Sequence, residues 1–301
     1  MWQKCNKGTA IIPTYNRPHD IKKCLFSLQN QSQPFHQIII VDSSDTPLIT
    51  DKTFQDVLSG ERFNGAELVY LHTKKGLPFQ RNRGIERATG DIIYFFDDDA
   101  HIAQNYLEIM TKTFQEHPNY GGGMGVIANM PASYKRRTLF TKPFLLGRYG
   151  ERYGRFTASG LPIFSYNAQT FTTVGVLNGC AAYRKEVLDE FCFDEKLGGY
   201  AFMEDCDMSK RVSRKHKLFF QPAAKLYHEP SPSARMQPVK LFDMYMYNYC
   251  YLFYKNFYQE NRWRLFAHIW SIIGLHFQAL RARSWRQFVG YMRGVMRYYF
   301  W

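Results

Sequence analysis

The 301-residue sequence has no paired cysteine motif: its six cysteines are scattered along the chain, and no CxxC occurs. This spacing argues against a zinc site and against a dense disulfide framework. Low-complexity tracts are also missing, and the hydrophobic share of 45% is ordinary for a folded globular protein. We therefore expect a globular chain with reduced thiols in a cytosolic compartment.

The sequence also lacks the long apolar runs that are typical of secretion signals and membrane spans. Residues 1–8 are polar, which is not typical of a secretory signal peptide. The most apolar stretch, residues 264–281, is short for a span and is interrupted by His268 and His276. These features predict a cytoplasmic protein.

Acidic residues are outnumbered, with 26 Asp and Glu against 39 Lys and Arg, so the formal net charge is +13. Such a charge favours nucleic acid, an anionic membrane surface or phosphorylated small molecules as partners. Residues 240–301 contain nine Lys and Arg, two acids and four of the five tryptophans. We interpret them as a basic aromatic helical tail on a main domain of residues 1–239. The tail either lies on the inner face of a membrane as amphipathic helices or packs on the domain.

Strand and helix patterns alternate along the first 130 residues. Short apolar runs predict strands, and apolar residues three or four positions apart predict helices. The predicted strands are 9–13, 37–41, 67–72 and 91–96, and the predicted helices are 20–31, 79–88 and 105–117. This alternation predicts an α/β fold with a mainly parallel, Rossmann-like sheet flanked by helices. Ligands of such folds bind beyond the carboxyl ends of the strands.

The pattern becomes irregular after residue 130. Residues 131–172 show no sustained periodicity, and a connection this long is usually functional or mobile. The glycine run Gly121–Gly125 lacks the Lys-Ser/Thr of a phosphate-binding loop and predicts a flexible or close-packed strand. The basic cluster Lys135–Arg137 is either a solvated surface or a contact for a phosphorylated ligand. Regular structure resumes with a strand at 178–183 and helices from 185 and over about 205–215.

Three carboxylates follow the apolar strand that ends at Phe96. Side chains alternate along an extended chain, so Asp97 and Asp99 point to one side and Asp98 to the other. Adjacent carboxylates repel each other, and a bound cation is the usual reason to tolerate this. The pattern favours Mn²⁺ or Mg²⁺ shared with phosphate oxygens, although a solvated acidic turn is an equally common explanation.

A second acidic group, Glu204–Asp207, opens a predicted helix. Acids are favoured at a helix N-terminus by capping and by the helix dipole, but a carboxylate there could also act as a general base. His228 ends a short predicted strand. A lone histidine is more often structural, yet an imidazole can complete the coordination of a manganese-type ion.

Six motifs occur in an order that is similar to that of one known family. They are Ala10–Arg17, Ile40–Ser44, Gly76–Gly84, Asp97–Asp99, Asn178–Arg184 and Glu204–Asp207. Over residues 9–228 the chain resembles the family 2 glycosyltransferases of the GT-A fold. The resemblance implies a GT-A-type nucleotide-diphosphosugar transferase fold, here with a C-terminal helical extension, and an inverting, metal-dependent enzyme.

The resemblance also implies a role for each matching residue. The implied nucleotide-sugar contacts are Pro13, Thr14, Asn16, Arg17, Asp42 at the base, Arg81 at the pyrophosphate, Asp97 and Asp98. The implied ligands of Mn²⁺ or Mg²⁺ are Asp99, Asp97 and His228. Asp205 is the implied catalytic base, with Glu204 as the rival assignment.

The implied reaction is a single displacement that moves a sugar from a nucleotide diphosphate, with a UDP-sugar favoured. The acceptor would be a saccharide, a glycolipid or a polyprenyl-linked glycan, and no nucleic acid is expected to bind. Many family members have a second acid where this chain has Ser43, so the identity of the nucleotide base in the donor stays open.

Two other functions would fit parts of this sequence. A nucleotidyltransferase would also use an α/β fold and a metal, but Pro13–Asn16 lacks the Gly-rich basic signature of such enzymes. A non-catalytic basic module that binds a membrane or nucleic acid would explain the charge and the tail. That module would not explain the two acidic clusters, which repel phosphate in the absence of a metal.

Overall fold

The computed structural model describes residues 7–58, 63, 65–130, 143–147, 154–166, 168–199, 201–231 and 236–300. The cluster Lys135–Arg137 and most of the irregular stretch before residue 154 lie outside these residues. The five described cysteines are free thiols.

The first half of the domain alternates strands and helices as predicted. Its elements are β1 (Gly8–Thr14), α1 (Pro18–Gln29), β2 (Gln37–Asp42), a 3₁₀ turn (Leu48–Thr50), α2 (Lys52–Leu58), β3 (Glu67–His72), α3 (Leu77–Arg87) and β4 (Ile92–Phe95). The four strands are parallel, in the order β3-β2-β1-β4. Strands β1, β2 and β4 are buried along their whole length because helices cover both faces of the sheet.

The second half extends the same sheet with mixed pairing. Its elements are β5 (Ala100–Ile102), α4 (Tyr106–Glu116), β6 (Tyr120–Ile127), β7 (Arg155–Phe156), β8 (Pro162–Ile163), β9 (Thr172–Val174), β10 (Ala181–Arg184), α5 (Lys185–Glu190), α6 (Glu204–Val212) and β11 (Lys217–His228). The order continues from β4 through β10, β6 and β11 to β5, and β9 also pairs with β11. Strand β10 is antiparallel to both of its neighbours, so among the described strands parallel pairing is restricted to β1–β4 and to β6 with β11.

The core consists of two apolar layers, one on each face of the sheet. Alternate residues of β1 separate them: Ile12 faces α1 and α4, whereas Ile11 faces α3, α5 and α6. The glycines of β6 let neighbouring strands approach closely, since a Cβ at Gly123 would lie 2.3 Å from the Phe219 ring. The glycine run is therefore a close-packed strand.

The tail contains α7 (Pro238–Phe253), a π-helical turn (Tyr254–Tyr258), α8 (Arg264–Arg281) and α9 (Trp285–Phe300). Helix α7 shares a third apolar core with the domain: Met246 and Tyr249 pack in one cluster with Val176 and Met203. The tail thus packs on the domain through α7. Across the described residues, no helix combines the length and the apolar character that crossing a bilayer would require.

Candidate active site

The structure brings Asp97, Asp99 and His228 together at the carboxyl end of β4. One ligand atom from each side chain lies within 4.8 Å of those of the other two. The antiparallel pairing of β11 with β5 sets His228 opposite Ala100, the residue that follows the acidic triplet. As a result, His228 Nε2 lies 2.9 Å from Asp99 Oδ1 and 3.7 Å from Asp97 Oδ2.

This cluster has the donor set of a divalent cation site. The buried Asp99 Oδ1 has His228 Nε2 as a close neighbour, at 2.9 Å. Burial acts to raise the pKa of Asp99, but the His228 imidazole, the Ser231 amide and Arg17 outweigh it and hold that pKa below its ordinary value. The close Asp99 carboxylate raises the pKa of His228. Two carboxylates and an imidazole that converge in this way fit a hard cation such as Mn²⁺ or Mg²⁺.

Asp98 points away from this cluster, as strand alternation predicted. Its carboxylate is buried, and it accepts hydrogen bonds from Thr14 Oγ1 at 2.8 Å and from Arg17 Nη1 at 2.9 Å. Burial raises the pKa of Asp98 to about 6, against the opposing effect of Arg17. Asp98 therefore holds the turn after β1, which contains the predicted nucleotide contacts Asn16 and Arg17. Pro13, another predicted contact, is buried within β1.

Asp45, which the sequence analysis did not single out, fixes the turn after β1 through hydrogen bonds with Tyr15 and Asn16. Asn16 adopts a left-handed backbone with φ of 52°, a conformation that asparagine tolerates better than most residues. Its side chain donates to Asp45 Oδ2 at 2.7 Å and accepts from the Asp45 amide at 3.1 Å. Tyr15 also donates to Asp45, and Lys75 lies 3.5 Å above the Tyr15 ring. A polar residue soon after β2 is the only sequence signal for Asp45.

Asp42 was expected to contact the nucleotide base, but its carboxylate is engaged inside the protein. It is fully buried and accepts hydrogen bonds from the amides of Ser44 and Leu48 at 2.8 Å and from Tyr70 at 2.6 Å. Burial and this carboxylate raise the pKa of Tyr70. The direct role of Asp42 in the structure is to shape the loop that follows β2.

Arg81 links two parts of the site. It is buried on α3, donates to Glu204 Oε1 at 2.8 Å and contacts Asp97 Oδ1 at 3.3 Å. It also donates to the Gly179 carbonyl at 3.2 Å, and a Cβ at Gly179 would lie 3.1 Å from the guanidinium. The sequence placed Arg81 at a pyrophosphate, whereas its contacts in the structure are with protein groups.

Glu204 and Asp205 begin α6 in different surroundings. Glu204 is buried, and this burial raises its pKa against the opposing effect of Arg81. Asp205 is half-buried and accepts a hydrogen bond from the Cys206 amide at 2.7 Å. Burial raises the pKa of Asp205 too, again opposed by Arg81. Of the two candidates, Asp205 is the more accessible to a second substrate.

A cleft of about 800 Å³ opens beside the cluster and is lined in part by Lys22, Phe26, Asp99, His101 and Ser231. It has the volume of a small-molecule site.

The model of the family described as "Glycosyl transferase family 2" matches residues 9–192, which is more than half of the chain. The chain belongs to glycosyl transferase family 2. The family resemblance predicted from the six motifs is thereby confirmed.

Two proteins of known name illustrate the sequence similarity of this chain to other proteins. The amylovoran biosynthesis glycosyltransferase AmsB of Erwinia amylovora is 37% identical over 222 residues, which cover 73% of this chain and 69% of AmsB. The putative glycosyltransferase EpsH of Bacillus subtilis is 31% identical over 127 residues, or 42% of this chain. The match spans only 34% of the length of EpsH.

Solved structures share the fold at low sequence identity. TarS 1–349 of S. aureus, in complex with UDP-GlcNAc, has a TM-score of 0.54 and 16% identity, with 97% of this chain and 91% of TarS covered. GalNAc-T7 with UDP, GalNAc and Mn²⁺ has a TM-score of 0.60 and 14% identity, with 83% and 48% covered. The predicted GT-A fold is confirmed, with the mixed second half of the sheet described above.

Proposed function

We propose that this family 2 member is a metal-dependent, inverting enzyme that moves a sugar from a nucleoside diphosphate onto an acceptor hydroxyl. The observation that carries this proposal is the grouping of Asp97, Asp99 and His228 at the carboxyl edge of the sheet. These groups lie beside the turn after β1, because Arg17 contacts both Asp98 and Asp99. Ligands of α/β sheets bind beyond the carboxyl ends of the strands, so a cation site at this edge suits a diphosphate ligand.

Asp97, Asp99 and His228 would hold Mn²⁺ or Mg²⁺. When bound, the cation supplies positive charge to the departing diphosphate. The Mn²⁺ in the GalNAc-T7 structure supports this assignment. The convergence of the Asp97, Asp99 and His228 ligand atoms within 4.8 Å supports it from within this chain.

The proton of the acceptor hydroxyl passes to the Asp205 carboxylate as the hydroxyl attacks the anomeric carbon. The bond between that carbon and the diphosphate oxygen breaks in the same step, which inverts the configuration. Burial raises the pKa of Asp205 and makes it a stronger base than an ordinary aspartate. Glu204 is the poorer candidate because its carboxylate is committed to Arg81 at 2.8 Å.

A UDP-sugar is the favoured donor, and the TarS complexes with UDP and UDP-GlcNAc support this choice. The uracil would lie against the loop that Asp42 holds in place through three hydrogen bonds, and a direct contact of the base with Asp42 stays a prediction.

The acceptor would be a saccharide, a glycolipid or a polyprenyl-linked glycan in polysaccharide or glycoconjugate synthesis. The similarity to the amylovoran biosynthesis enzyme AmsB supports this class. With an acceptor carried on lipid, we expect the enzyme to act in the cytoplasm, as a peripheral protein at the inner face of the membrane.

Calorimetric titration of UDP, GDP, CDP and dTDP, each with and without Mn²⁺, tests the donor site. We expect one diphosphate to bind only with Mn²⁺, and Asp99→Ala to abolish this binding. Asp189→Ala, which removes an exposed carboxylate on α5, is the matched control. Absence of binding for all four diphosphates by folded protein would sink the proposal.

A nucleotidyltransferase is the rival enzyme, and product analysis separates the two. Glycosyl transfer releases a nucleoside diphosphate, whereas nucleotidyl transfer releases pyrophosphate.

A further inference from the structure

Helix α8 has an exposed face made entirely of large apolar side chains. They are Phe266, Ile269, Trp270, Ile273, Phe277 and Leu280, each between 46% and 67% exposed. At about 100° per residue these six positions fall within an arc of about 100° on the helix. No Asp, Glu, Lys or Arg occurs between residues 265 and 280. We call these six residues the α8 face.

The opposite side of α8 is buried against the rest of the protein. His268, Ser271, Leu275 and Ala279 are buried there, and a Cβ at Gly274 would lie 2.3 Å from Phe144. The helix is therefore held in place by its inner side, and the orientation of the α8 face towards solvent is fixed by packing. A patch of six exposed apolar side chains on one face of a helix marks an interaction site on a folded domain.

Exposed arginine and tryptophan residues flank the α8 face at both ends. Trp263 and Trp285 are 77% and 66% exposed, and Arg262, Arg283 and Arg286 are exposed beside them. Tryptophan suits the boundary between lipid tails and headgroups, and arginine suits anionic headgroups. This arrangement is that of a helix that lies in the plane of a membrane interface.

The two acids of the tail do not offset this positive charge. Asp243 forms an ion pair with Arg297 at 3.1 Å, and Glu260 contacts Lys210 at 2.8 Å and Arg264 at 3.1 Å. A protein partner for the α8 face would need acidic groups at both ends of an apolar groove. An anionic bilayer supplies both features on any flat area.

We propose that the α8 face docks the protein on an anionic lipid bilayer, with α8 parallel to the membrane plane. The α8 face would be the surface that holds the protein in the peripheral location proposed above. Binding to the bilayer does not depend on sugar transfer. The charge-free middle of α8 enters the acyl boundary, while the flanking arginines contact lipid phosphates. Because apolar side chains occupy one face of α8 only, the helix rests on the bilayer rather than crossing it.

Co-sedimentation of the full chain with vesicles, in the absence of substrate, tests this proposal. Phosphatidylcholine vesicles containing about a third phosphatidylglycerol are compared with vesicles of phosphatidylcholine alone. We expect binding to the anionic vesicles only, and a loss of at least about tenfold in Ile273→Glu, which places a charge at the centre of the α8 face. Phe26→Glu, which replaces a 62% exposed phenylalanine on α1, should bind like the wild type.

Arg262→Gln combined with Arg286→Gln should also weaken binding to the anionic vesicles. Retained Mn²⁺-dependent diphosphate binding by Ile273→Glu would show that this variant is folded, and would separate a failure of docking from a failure of the donor site. Equal binding of wild type and Ile273→Glu would overturn the proposal. So would a concentration-dependent dimer in light scattering that Ile273→Glu abolishes, because the occupant would then be a second copy of the chain.

Discussion

The guanidinium of Arg81 donates to Glu204 at 2.8 Å and contacts Asp97 at 3.3 Å, so one buried arginine connects the acidic triplet to the start of α6. The side chains of Arg81 and Glu204 are 1% and 8% exposed. A buried ion pair adds little net stability, but the loss of one partner leaves an unpaired charge. The pair of Arg81 and Glu204 connects Asp97 of the proposed metal site to α6, the helix that carries the proposed base Asp205.

Arg81→Met is expected to lower the free energy of unfolding by about 3 kcal/mol, because Glu204 is left buried without its partner. Arg81→Met combined with Glu204→Gln should recover most of this loss. Urea unfolding of the two single variants and the double variant gives the coupling between the side chains. Strictly additive losses would mean that the contact is energetically irrelevant.

Asp205→Asn is expected to lower kcat by about 10³-fold while diphosphate binding with Mn²⁺ is retained, because only the proton acceptor is lost. Glu204→Gln should cost less, since Glu204 acts through Arg81. In the wild type, the acid limb of the kcat profile should lie above that of an ordinary aspartate, because burial raises the pKa of Asp205 and the base must be ionised. Normal transfer by Asp205→Asn would move the base role to Glu204 or elsewhere.

The sequence predicted those parts of the site that depend on local geometry. The apolar run before Asp97 predicted a buried strand, and the alternation of side chains separated Asp97 and Asp99 from Asp98. Both follow from neighbours in the chain. Helical spacing likewise located α1, α3 and α4 to within about two residues.

Contacts between distant residues could not be predicted in this way. Asp99 meets His228 only because β11 pairs antiparallel with β5, and a single sequence does not specify that pairing. The burial of Asp42 behind Tyr70 and the capture of Arg81 by Glu204 also depend on tertiary packing. In the tail, the basic and aromatic composition predicted amphipathic helices but not which side of them would contact the domain.

His228→Ala is expected to weaken Mn²⁺ binding by at least about tenfold, because an imidazole beside Asp99 is removed from the donor set. His101→Ala is the matched control, since His101 is exposed on the adjacent strand β5. Titration of Mn²⁺ followed by electron paramagnetic resonance measures the affinity without any turnover. Unchanged affinity in His228→Ala would leave the histidine as a partner of the Asp99 carboxylate alone.

His268 should make the protein less stable in acid. Its ring is buried and stacks on Phe253 at 3.9 Å, and Nε2 has no hydrogen-bond partner among the described residues. Burial lowers the pKa of His268 from 6.5 to about 4. Between these values the unfolded chain binds a proton that the folded chain does not, so stability falls as the pH drops through this window.

The expected loss is about 3 kcal/mol between pH 6.5 and pH 4, set by the difference between the two pKa values. His268→Phe removes the titrating group and keeps a planar ring against Phe253, so its stability should depend less on pH across this window. Urea unfolding of both proteins at several pH values measures the difference. Above pH 7 the histidine is neutral in both states, so the gap between wild type and variant should be constant there. An equal acid loss in both proteins would assign the effect to other groups, because only the wild type can protonate residue 268 on unfolding.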